Sequence, residues 1–266
     1  MAPASGVALS LHGKVAIVTG GSRGIGAATV RMFVQAGAKV AFNYHKARGE
    51  AEKLVAECGD SRCLGVQAEL DAPGTAKPLV DAAVNQFGRL DCLIVNHGIW
   101  PPQDVPVDAL DIDQWRRTIA VNLDSVFGLV KYAVRQMKAQ GRSTDSSAAG
   151  RIVIISSTAG QRGEAFHCDY AASKGAVISM VKGLSTELAR DGIYVNCVAP
   201  GWVMTDMSQP AMDDPPTRAR VLSTIPLGRI GTPEEIAAPI LFLCTEHAGF
   251  ITGEILNVNG GAVLVG

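Results

Sequence analysis

The stretch KVAIVTGGSRGIGAATVRMFVQAG, residues 14–37, decides the fold. Residues 14–18 are an apolar run of strand length, and residues 24–36 carry a helical pattern that ends at Gly37. Between them the glycines are spaced G-x-x-x-G-x-G. Such a turn makes an anion site, because glycines admit a pyrophosphate and a helix N-terminus favours its charge. The pattern predicts a dinucleotide-binding turn that contacts its ligand through Gly20, Ser22, Arg23, Gly24, Ile25 and Gly26.

The alternation of strand and helix continues along the rest of the chain. Further strand-like runs lie near residues 38–43, 64–67, 91–95, 151–156, 193–198 and 255–258. Helical patterns cover residues 47–58, 73–87, 111–138, 169–190 and 233–244. This rhythm predicts an α/β fold, a Rossmann-type doubly wound parallel sheet with helices on both faces. Because no linker interrupts it, we expect one domain over residues 11–266, preceded by a flexible tail of residues 1–10.

Composition agrees with one globular domain and excludes several classes of function. The chain has 266 residues, 47% of them hydrophobic, which is enough for a sizeable core. A net charge of −1 offers no basic surface for nucleic acid. The apolar runs are too short to span a bilayer, and the first ten residues lack the pattern of a signal peptide. The six cysteines show no zinc-ligand spacing, so we expect no metal site and a reduced, cytoplasmic protein.

A second pattern, in the helix predicted at 169–190, points to proton chemistry. Tyr170 and Lys174 are four residues apart and therefore share one helix face. A neighbouring ammonium favours the phenolate, so we expect Lys174 to lower the pKa of Tyr170 from its ordinary value of about 10. Such a tyrosine can exchange a proton during chemistry at a C–O bond. Ser157 lies thirteen residues upstream of Tyr170.

Together these motifs resemble the short-chain dehydrogenase/reductase family. The likeness rests on TGGSRGIG at residues 19–26, on Ser157, Tyr170 and Lys174, and on Pro200-Gly201, all in the family's order. It extends from about residue 11 to residue 261. The resemblance implies seven strands in the order 3-2-1-4-5-6-7 and hydride transfer between a nicotinamide cofactor and a carbonyl or secondary alcohol.

The resemblance also implies roles for individual residues. Tyr170 would donate the proton, Ser157 would hydrogen-bond the reacting oxygen, and Lys174 would also hold the nicotinamide ribose. Asn122 matches the family asparagine that holds a water relay to the lysine. His97 replaces the usual alanine of the family, and we interpret it as a hydrogen-bonded structural histidine. Further cofactor contacts are expected at Ala68, Glu69, Asn96, Gly98, Pro200, Gly201, Val203 and Thr205, with Glu69 in place of the family's aspartate at the adenine.

The residues after the second strand favour NADP over NAD. NAD sites place Asp or Glu there to hold the ribose hydroxyls, whereas this chain reads NYHKAR over residues 43–48. Basic groups attract a 2′-phosphate, and a carboxylate would repel it. Arg23 and Lys46 are therefore the phosphate candidates, with Asn43, Tyr44 and His45 lining the site. The alternative, in which both charges are solvated and NAD binds too, stays open.

The substrate is less clearly defined than the cofactor. We expect its pocket between residues 99–101, 160–167 and 202–212, under a lid formed by the proline-rich segment 200–226. The chain looks most like the 3-oxoacyl-[acyl-carrier-protein] reductases of fatty acid biosynthesis. That likeness implies a 3-oxoacyl thioester or similar ketone, and an acyl carrier protein that docks on basic residues such as Lys138, Arg142 and Arg190.

Two alternatives to this function remain. The first is a sugar, polyol or other secondary-alcohol dehydrogenase, and the second is a nucleotide-binding protein of the same fold without turnover. By resemblance we also expect a homotetramer. Its subunits would pack through the helices at 111–138 and 169–190 and through the C-terminal strand.

Overall fold

Seven parallel strands form one sheet in the computed structural model of the protein, which describes residues 6–142 and 147–264. The strands are β1 (Val15–Val18), β2 (Lys39–Tyr44), β3 (Cys63–Gln67), β4 (Cys92–Val95), β5 (Gly150–Ile155), β6 (Ile193–Pro200) and β7 (Ile255–Val258). Their order across the sheet is β3-β2-β1-β4-β5-β6-β7. The predicted α/β class and the predicted strand order are confirmed. Of the expected tail, residues 6–10 are exposed and carry no helix or strand, and residues 1–5 lie outside the described residues.

Helices connect the strands and cover both faces of the sheet. In the described ranges they are α1 (Gly24–Gln35), α2 (Arg48–Cys58), α3 (Lys77–Phe87), α4 (Ile112–Ile119), α5 (Ser125–Gln140), α6 (Thr158–Arg162), α7 (Cys168–Leu188), α8 (Gln209–Asp213), α9 (Pro215–Ser223) and α10 (Pro233–Cys244). Among these helices, none is both long and apolar enough to cross a membrane.

Side chains of the strands pack alternately into two apolar layers. On β1, Val18 belongs to one layer together with Phe33 of α1 and Ile240 of α10. Its neighbour Ile17 belongs to the opposite layer together with Leu129 of α5. All of these side chains are fully buried, and each large one contributes about 1.5–3 kcal/mol of hydrophobic free energy. The two layers hold the sheet rigidly, so the loops at its carboxyl edge have a fixed base.

The helical pattern predicted over residues 111–138 is confirmed, but the winding of the helix is not uniform. The structure divides it into α4 and α5, which are joined by a π-helical turn over Ala120–Asp124. Apolar periodicity cannot reveal such a turn, because one additional residue shifts the pattern without breaking the helix. The start of the helix predicted over residues 73–87 also differs, since Pro73–Ala76 forms a separate 3₁₀ turn before α3.

The segment expected as a lid, residues 200–226, contains helices that the sequence pattern did not reveal. Both α8 and α9 carry a proline at their start, where its missing N–H group has no helical partner to lose. The Asp214 carboxylate caps α9 by accepting a hydrogen bond from Thr217 N at 3.1 Å. The prolines that suggested a loop therefore begin helices. The lid function itself stays a prediction.

Candidate active site

A cleft of about 580 Å³ opens at the carboxyl edge of the sheet. It is lined by the loops after β1, β3 and β4, by the ends of β2 and β5, and by the segment after β6. Parallel α/β sheets bind ligands at this edge, in the crevice where the strand order reverses. All the predicted site residues line this cleft except Gly26 and Asn122, which lie behind its wall. Sequence positions as distant as 20 and 208 therefore meet in one space.

The glycine-rich turn fits a dinucleotide. Gly20 has a φ of +61°, and a side chain on Gly26 would overlap the carbonyl oxygen of Gly20. Arg23, at the N-cap of α1, makes no side-chain capping hydrogen bond, whereas Ser157 caps α6 and Thr232 caps α10. The first N–H groups of α1 therefore keep their capacity for an anion such as a pyrophosphate.

Two asparagines of the cleft hold this turn in shape. Asn43 Oδ1 accepts a hydrogen bond from Gly20 N at 2.7 Å, and its Nδ2 donates to the Ala68 carbonyl at 3.0 Å. Asn96 Nδ2 donates to the carbonyl of Thr19 at 3.0 Å. We expected both asparagines to contact the cofactor, yet in this structure their amide groups are engaged with the protein backbone. Their amide groups therefore fix the shape of the turn.

Charged groups gather at the end of the cleft formed by β2 and β3. Tyr44, His45 and Lys46 line this end, as do Ala68 and Glu69. Glu69 forms an ion pair with Arg117 of α4 at 3.2 Å and lies 3.5 Å from His45 Nε2. Arg117 was missed by the sequence analysis, because 48 residues separate it from its partner. The Glu69 carboxylate, expected at the adenine, is thus held in place by two basic side chains.

Arg23, one of the two phosphate candidates, already has a partner. Its Nη1 lies 2.9 Å from Oδ2 of Asp206, and both side chains are more than half exposed. This ion pair joins the glycine-rich turn to the segment after β6. Asp206 was also missed by the sequence analysis, since the two residues are 183 positions apart. An exposed pair of this kind contributes at most about 1 kcal/mol, so a phosphate can displace the carboxylate.

The segment after β6 forms another wall of the cleft. Pro200, Gly201, Val203 and Thr205 all line it, as expected. A backbone bridge between Val203 and Gly231 anchors this wall, and Ser208 Oγ accepts a hydrogen bond from Thr205 N at 3.1 Å. Backbone groups here are therefore held at fixed positions for a ligand.

Ser157 and Tyr170 meet at the centre of the cleft. Ser157 is the N-cap of α6, and its Oγ accepts a hydrogen bond from Ala159 N at 3.1 Å. Tyr170 lies in the first turn of α7, where its phenol is within hydrogen-bonding reach of Ser157. The neighbouring Ser156 is directed away, because its Oγ donates to the Lys174 carbonyl at 2.8 Å. The choice of Ser157 over Ser156 agrees with this geometry.

The expected lowering of the Tyr170 pKa is wrong for this structure. Burial raises the pKa of Tyr170 to about 12, against a smaller lowering by the Ser157 hydrogen bond. Lys174 Nζ lies 5.8 Å from the centre of the Tyr170 ring and donates to the Ile155 carbonyl at 2.9 Å. Burial also lowers the pKa of Lys174 to about 8, which weakens the ammonium as a stabiliser of phenolate. The desolvation of the phenol thus has a larger effect on the Tyr170 pKa than the charge of Lys174.

Asn122 is buried in the π-helical turn behind the wall of the cleft. Its Oδ1 accepts a hydrogen bond from Ile99 N at 2.8 Å, and its Nδ2 donates to the Ile99 carbonyl at 2.9 Å and to Ser173 Oγ at 3.1 Å. The side-chain amide is therefore bound to the loop after β4 and to α7. A water relay held by Asn122 would have to use its backbone carbonyl, while its side chain positions the loop.

His97 is a structural histidine, as interpreted from the sequence. Its Nδ1 lies 2.8 Å from Thr19 Oγ1, and its Nε2 lies 2.7 Å from Ser125 Oγ. Because Ser125 Oγ donates to the Val121 carbonyl at 2.8 Å, it accepts from His97, which assigns the proton to Nε2. Burial, reinforced by the charge of Lys174, lowers the pKa of His97 to about 3. The neutral ring links the glycine-rich turn to the start of α5.

The end of the cleft beyond Tyr170 combines aromatic and charged groups. The indoles of Trp100 and Trp202 meet edge to face, with their ring centres 6.0 Å apart. Arg162 and Glu164 line the same cleft. The Trp100 indole contributes a hydrogen bond to the Glu164 carboxylate, whose pKa is raised mainly by burial. Over the described ranges, no group of three or more His, Cys, Asp or Glu side chains is arranged to hold a metal ion.

The fold and the cleft together are those of an oxidoreductase that binds a nicotinamide dinucleotide. Comparison with known proteins agrees. A family model described as enoyl-(acyl carrier protein) reductase matches residues 20–263. The chain is 37% identical over 257 residues to 3-oxoacyl-[acyl-carrier-protein] reductase FabG of Salmonella typhimurium, covering 97% of this chain and all of that protein. It is 36% identical to L-rhamnose 1-dehydrogenase (NAD(P)(+)) of a Sphingomonas species, over 94% of this chain and 96% of that protein.

Solved structures give the same result. A short-chain dehydrogenase/reductase of Brucella melitensis described as glucose/ribitol dehydrogenase has a TM-score of 0.85 at 32% identity, covering 96% of this chain and 98% of its own. A dehydrogenase/reductase from Sinorhizobium meliloti 1021 has a TM-score of 0.87 at 32% identity, covering 97% and 98%. The chain belongs to the short-chain dehydrogenase/reductase family and is an oxidoreductase that uses a nicotinamide nucleotide.

Proposed function

We propose that the protein catalyses the NADPH-dependent reduction of a ketone to a secondary alcohol, and its reverse. The observation that carries this proposal is the meeting of Ser157, Tyr170 and Lys174 in the cleft that the glycine-rich turn also enters. A protein that only bound nucleotides would have no chemical need for this set, so we place the alternative without turnover second.

The bound cofactor supplies a hydride to the carbonyl carbon. The chain supplies the proton and the charge stabilisation. Tyr170, whose phenol is protonated at neutral pH because its pKa is about 12, donates its proton to the substrate oxygen. Ser157 donates a hydrogen bond to the same oxygen while negative charge develops there. We assign Lys174 to the cofactor ribose and to restoring the Tyr170 proton, since its own pKa of about 8 lies near the working pH.

The preference for NADPH rests on the charges around the cleft. The end of β2 offers Asn43, Tyr44, His45 and Lys46, and no carboxylate among them. Arg23 and Lys46 are the proposed partners of a 2′-phosphate. Glu69 is the nearest acid along the chain that lines this end, and its ion pair with Arg117 offsets its charge. Use of NAD as well is the alternative.

For the substrate, the first candidate is a 3-oxoacyl thioester. Its support is the likeness over nearly the whole chain to proteins named 3-oxoacyl-[acyl-carrier-protein] reductase. A docked acyl carrier protein would need free basic groups. Lys138 forms an ion pair with Asp191 at 2.6 Å, so Arg142 and Arg190 are the better candidates for that docking.

The second candidate is a sugar, a polyol or a related hydroxylated compound. Its support is the partly buried Glu164 carboxylate in the cleft, for which an acyl chain offers no hydrogen-bond donor. The relatives named L-rhamnose 1-dehydrogenase and glucose/ribitol dehydrogenase show that such chemistry belongs to proteins of this kind.

The proposal extends to a homotetramer in the cytoplasm. Large apolar side chains, among them Trp115 and Phe127, are exposed on α4 and α5, which form the first of the two helical segments expected at the subunit interface. Strand β7 lies at the edge of the sheet with one side unpaired by another strand in the described residues. Both surfaces are of the kind that subunits cover.

The consumption of NADPH and of NADH with acetoacetyl-coenzyme A and with a panel of simple and hydroxylated ketones tests this proposal. Turnover faster with NADPH is expected for at least one class of ketone. Nucleotide binding without turnover of any ketone would favour the alternative of a non-catalytic protein.

A further inference from the structure

Glu164 places a carboxylate in the cleft beside the reacting groups. It lines the same cleft as Ser157 and Tyr170 and is only partly exposed. Its charge also contributes to the raised pKa of Tyr170, so the two side chains lie within electrostatic reach. The proton chemistry is already supplied by Tyr170. Because burying part of a carboxylate costs free energy of desolvation, we expect Glu164 to have a function other than proton transfer.

The turn that carries Glu164 is held in a specific conformation. It connects α6 to α7 and contains two residues with positive φ, Gly163 at 78° and Phe166 at 66°. For a phenylalanine this conformation costs on the order of 1–3 kcal/mol, and it persists only where the surroundings impose it. The loop after β4 does so, because Val105 N donates to the Phe166 carbonyl at 3.2 Å and Asp104 pairs with His167 at 3.2 Å. The position of the carboxylate is thus fixed in advance.

The groups around Glu164 select for a neutral polar ligand. Trp100 and Trp202 supply apolar surface, and the Trp100 indole N–H occupies one acceptor site of the carboxylate. A carboxylate has about four such sites, so acceptor capacity remains for a ligand. Arg162 lines the same cleft with the opposite charge, which counteracts the attraction of Glu164 for a cation. Apolar faces combined with a fixed acceptor suit a small compound with several hydroxyl groups.

We propose that Glu164 is a specificity-determining residue that accepts a hydrogen bond from a hydroxyl group on the carbon next to the reacting one. The inference rests on the proposed function and names its substrate class, which is neutral hydroxyketones and the corresponding vicinal diols, sugars and polyols included. A 3-oxoacyl thioester presents only carbonyl oxygens near its reacting carbon. Such oxygens would face the carboxylate without a donor, and this mismatch disfavours the thioester.

Hydroxyacetone, acetone and butanone are the probes for this role. Acetone lacks the hydroxyl group, and butanone replaces it by a methyl group of similar size. The wild-type enzyme should prefer hydroxyacetone in kcat/KM. In Glu164→Ala the ratio of kcat/KM for hydroxyacetone to that for butanone should fall by about 10- to 100-fold, as for a lost hydrogen bond to a charged group. Glu164→Gln keeps the size of the side chain and an acceptor oxygen. In this variant the same ratio should fall less than in Glu164→Ala.

Glu187→Gln provides the matched control, since Glu187 is an exposed glutamate of α7 that does not line the cleft. It should keep the wild-type ratio. A ratio unchanged in Glu164→Ala, or a stronger preference for aminoacetone than for hydroxyacetone, would overturn the assignment. Acetoacetyl-coenzyme A turned over better than every hydroxyketone would overturn it too.

Binding distinguishes a failure of this inference from a failure of the proposed function. The quenching of tryptophan fluorescence, with NADPH present so that neither alcohol can be oxidised, gives dissociation constants for propylene glycol and isopropanol. The inference expects the diol to bind more tightly, with the difference lost in Glu164→Ala, even if no ketone is turned over. Equal binding of the two alcohols by the wild-type protein would refute the role of Glu164, whereas absent turnover alone would refute only the proposed function.

Discussion

The Ser157 hydroxyl group has a structural role here and a chemical role in the proposed reaction. Its oxygen accepts the Ala159 N–H and so caps α6. In the proposed reaction its proton, which lies within reach of the Tyr170 phenol, is donated to the substrate oxygen instead. The extended backbone of Ser157, with φ −166° and ψ 158°, is the conformation that an N-cap requires. The start of a short helix therefore orients a group of the active site.

At the residue scale, the first prediction concerns the proton donor. Tyr170→Phe should lower kcat by about 10²- to 10⁴-fold, since the variant keeps the ring but lacks the acidic proton. The affinity for NADPH, measured by fluorescence titration, should stay within about two-fold, because the glycine-rich turn is untouched. Tyr132→Phe on α5, outside the cleft, is the control. Wild-type turnover in Tyr170→Phe would show that another group provides the proton.

A second prediction at this scale concerns the link made by His97. The pKa of this histidine falls from 6.5 to about 3 on folding, so between these values the unfolded chain binds more protons than the native one. The free energy of unfolding should therefore decrease as the pH falls from about 6.5 towards 3. In His97→Gln this decrease should be shallower.

Urea unfolding at several pH values between 7 and 4 would measure this slope. His12→Gln, a substitution at an exposed histidine, is the control and should keep the wild-type slope. Parallel pH profiles for His97→Gln and the wild type would contradict the neutral, hydrogen-bonded histidine.

At the scale of elements, the ion pair of Arg23 with Asp206 connects the glycine-rich turn to the segment after β6, both of which are proposed to contact the nucleotide. Asp206→Asn should free Arg23 and remove a negative charge from the proposed phosphate site. We expect the KM for NADPH to fall by about two- to five-fold, with a smaller change for NADH, and the gain to shrink at high salt.

The double variant Arg23→Gln/Asp206→Asn completes a mutant cycle for this prediction. The double variant should show no decrease in the KM for NADPH, because the Arg23 guanidinium is absent. An equal decrease in the KM for NADH, or a decrease in the KM for NADPH that persists in the double variant, would show that Arg23 does not bind the 2′-phosphate.

The elements also show what a sequence can and cannot predict. The strands, the glycine-rich turn and the spacing of Ser157 to Tyr170 were predictable, because each depends on neighbouring residues. The pairs Arg117–Glu69 and Arg23–Asp206 were not, since only the folded sheet brings such distant residues together. The direction of the Tyr170 pKa shift was also missed. It depends on how deeply the phenol is buried, and a local spacing of Tyr and Lys contains no information about burial.

At the scale of the whole molecule, the exposed apolar side chains of α4 and α5 belong to the proposed subunit interface. Trp115 is 40% exposed and Phe127 is 51% exposed. Phe127→Glu should shift the molar mass from that of a tetramer to that of a smaller species, because a charge would be buried at the proposed interface. Light scattering at micromolar concentration measures this mass.

Lys53→Glu, at an exposed site of α2 away from the proposed interface, is the control and should leave the mass unchanged. A monomeric wild-type protein under these conditions would contradict the tetramer. So would a Phe127→Glu variant that keeps the full mass.

The π-helical turn ties this outer surface to the interior. A single additional residue rotates everything downstream by about 100° around the helix axis. Asn122 lies inside that turn and is buried, whereas Phe127 lies downstream of it on α5 and is exposed. Deleting one residue between positions 120 and 124 would restore regular winding and displace both side chains together. A change of winding within Ala120–Asp124 would therefore alter the wall of the cleft and the exposed apolar surface of α5 together.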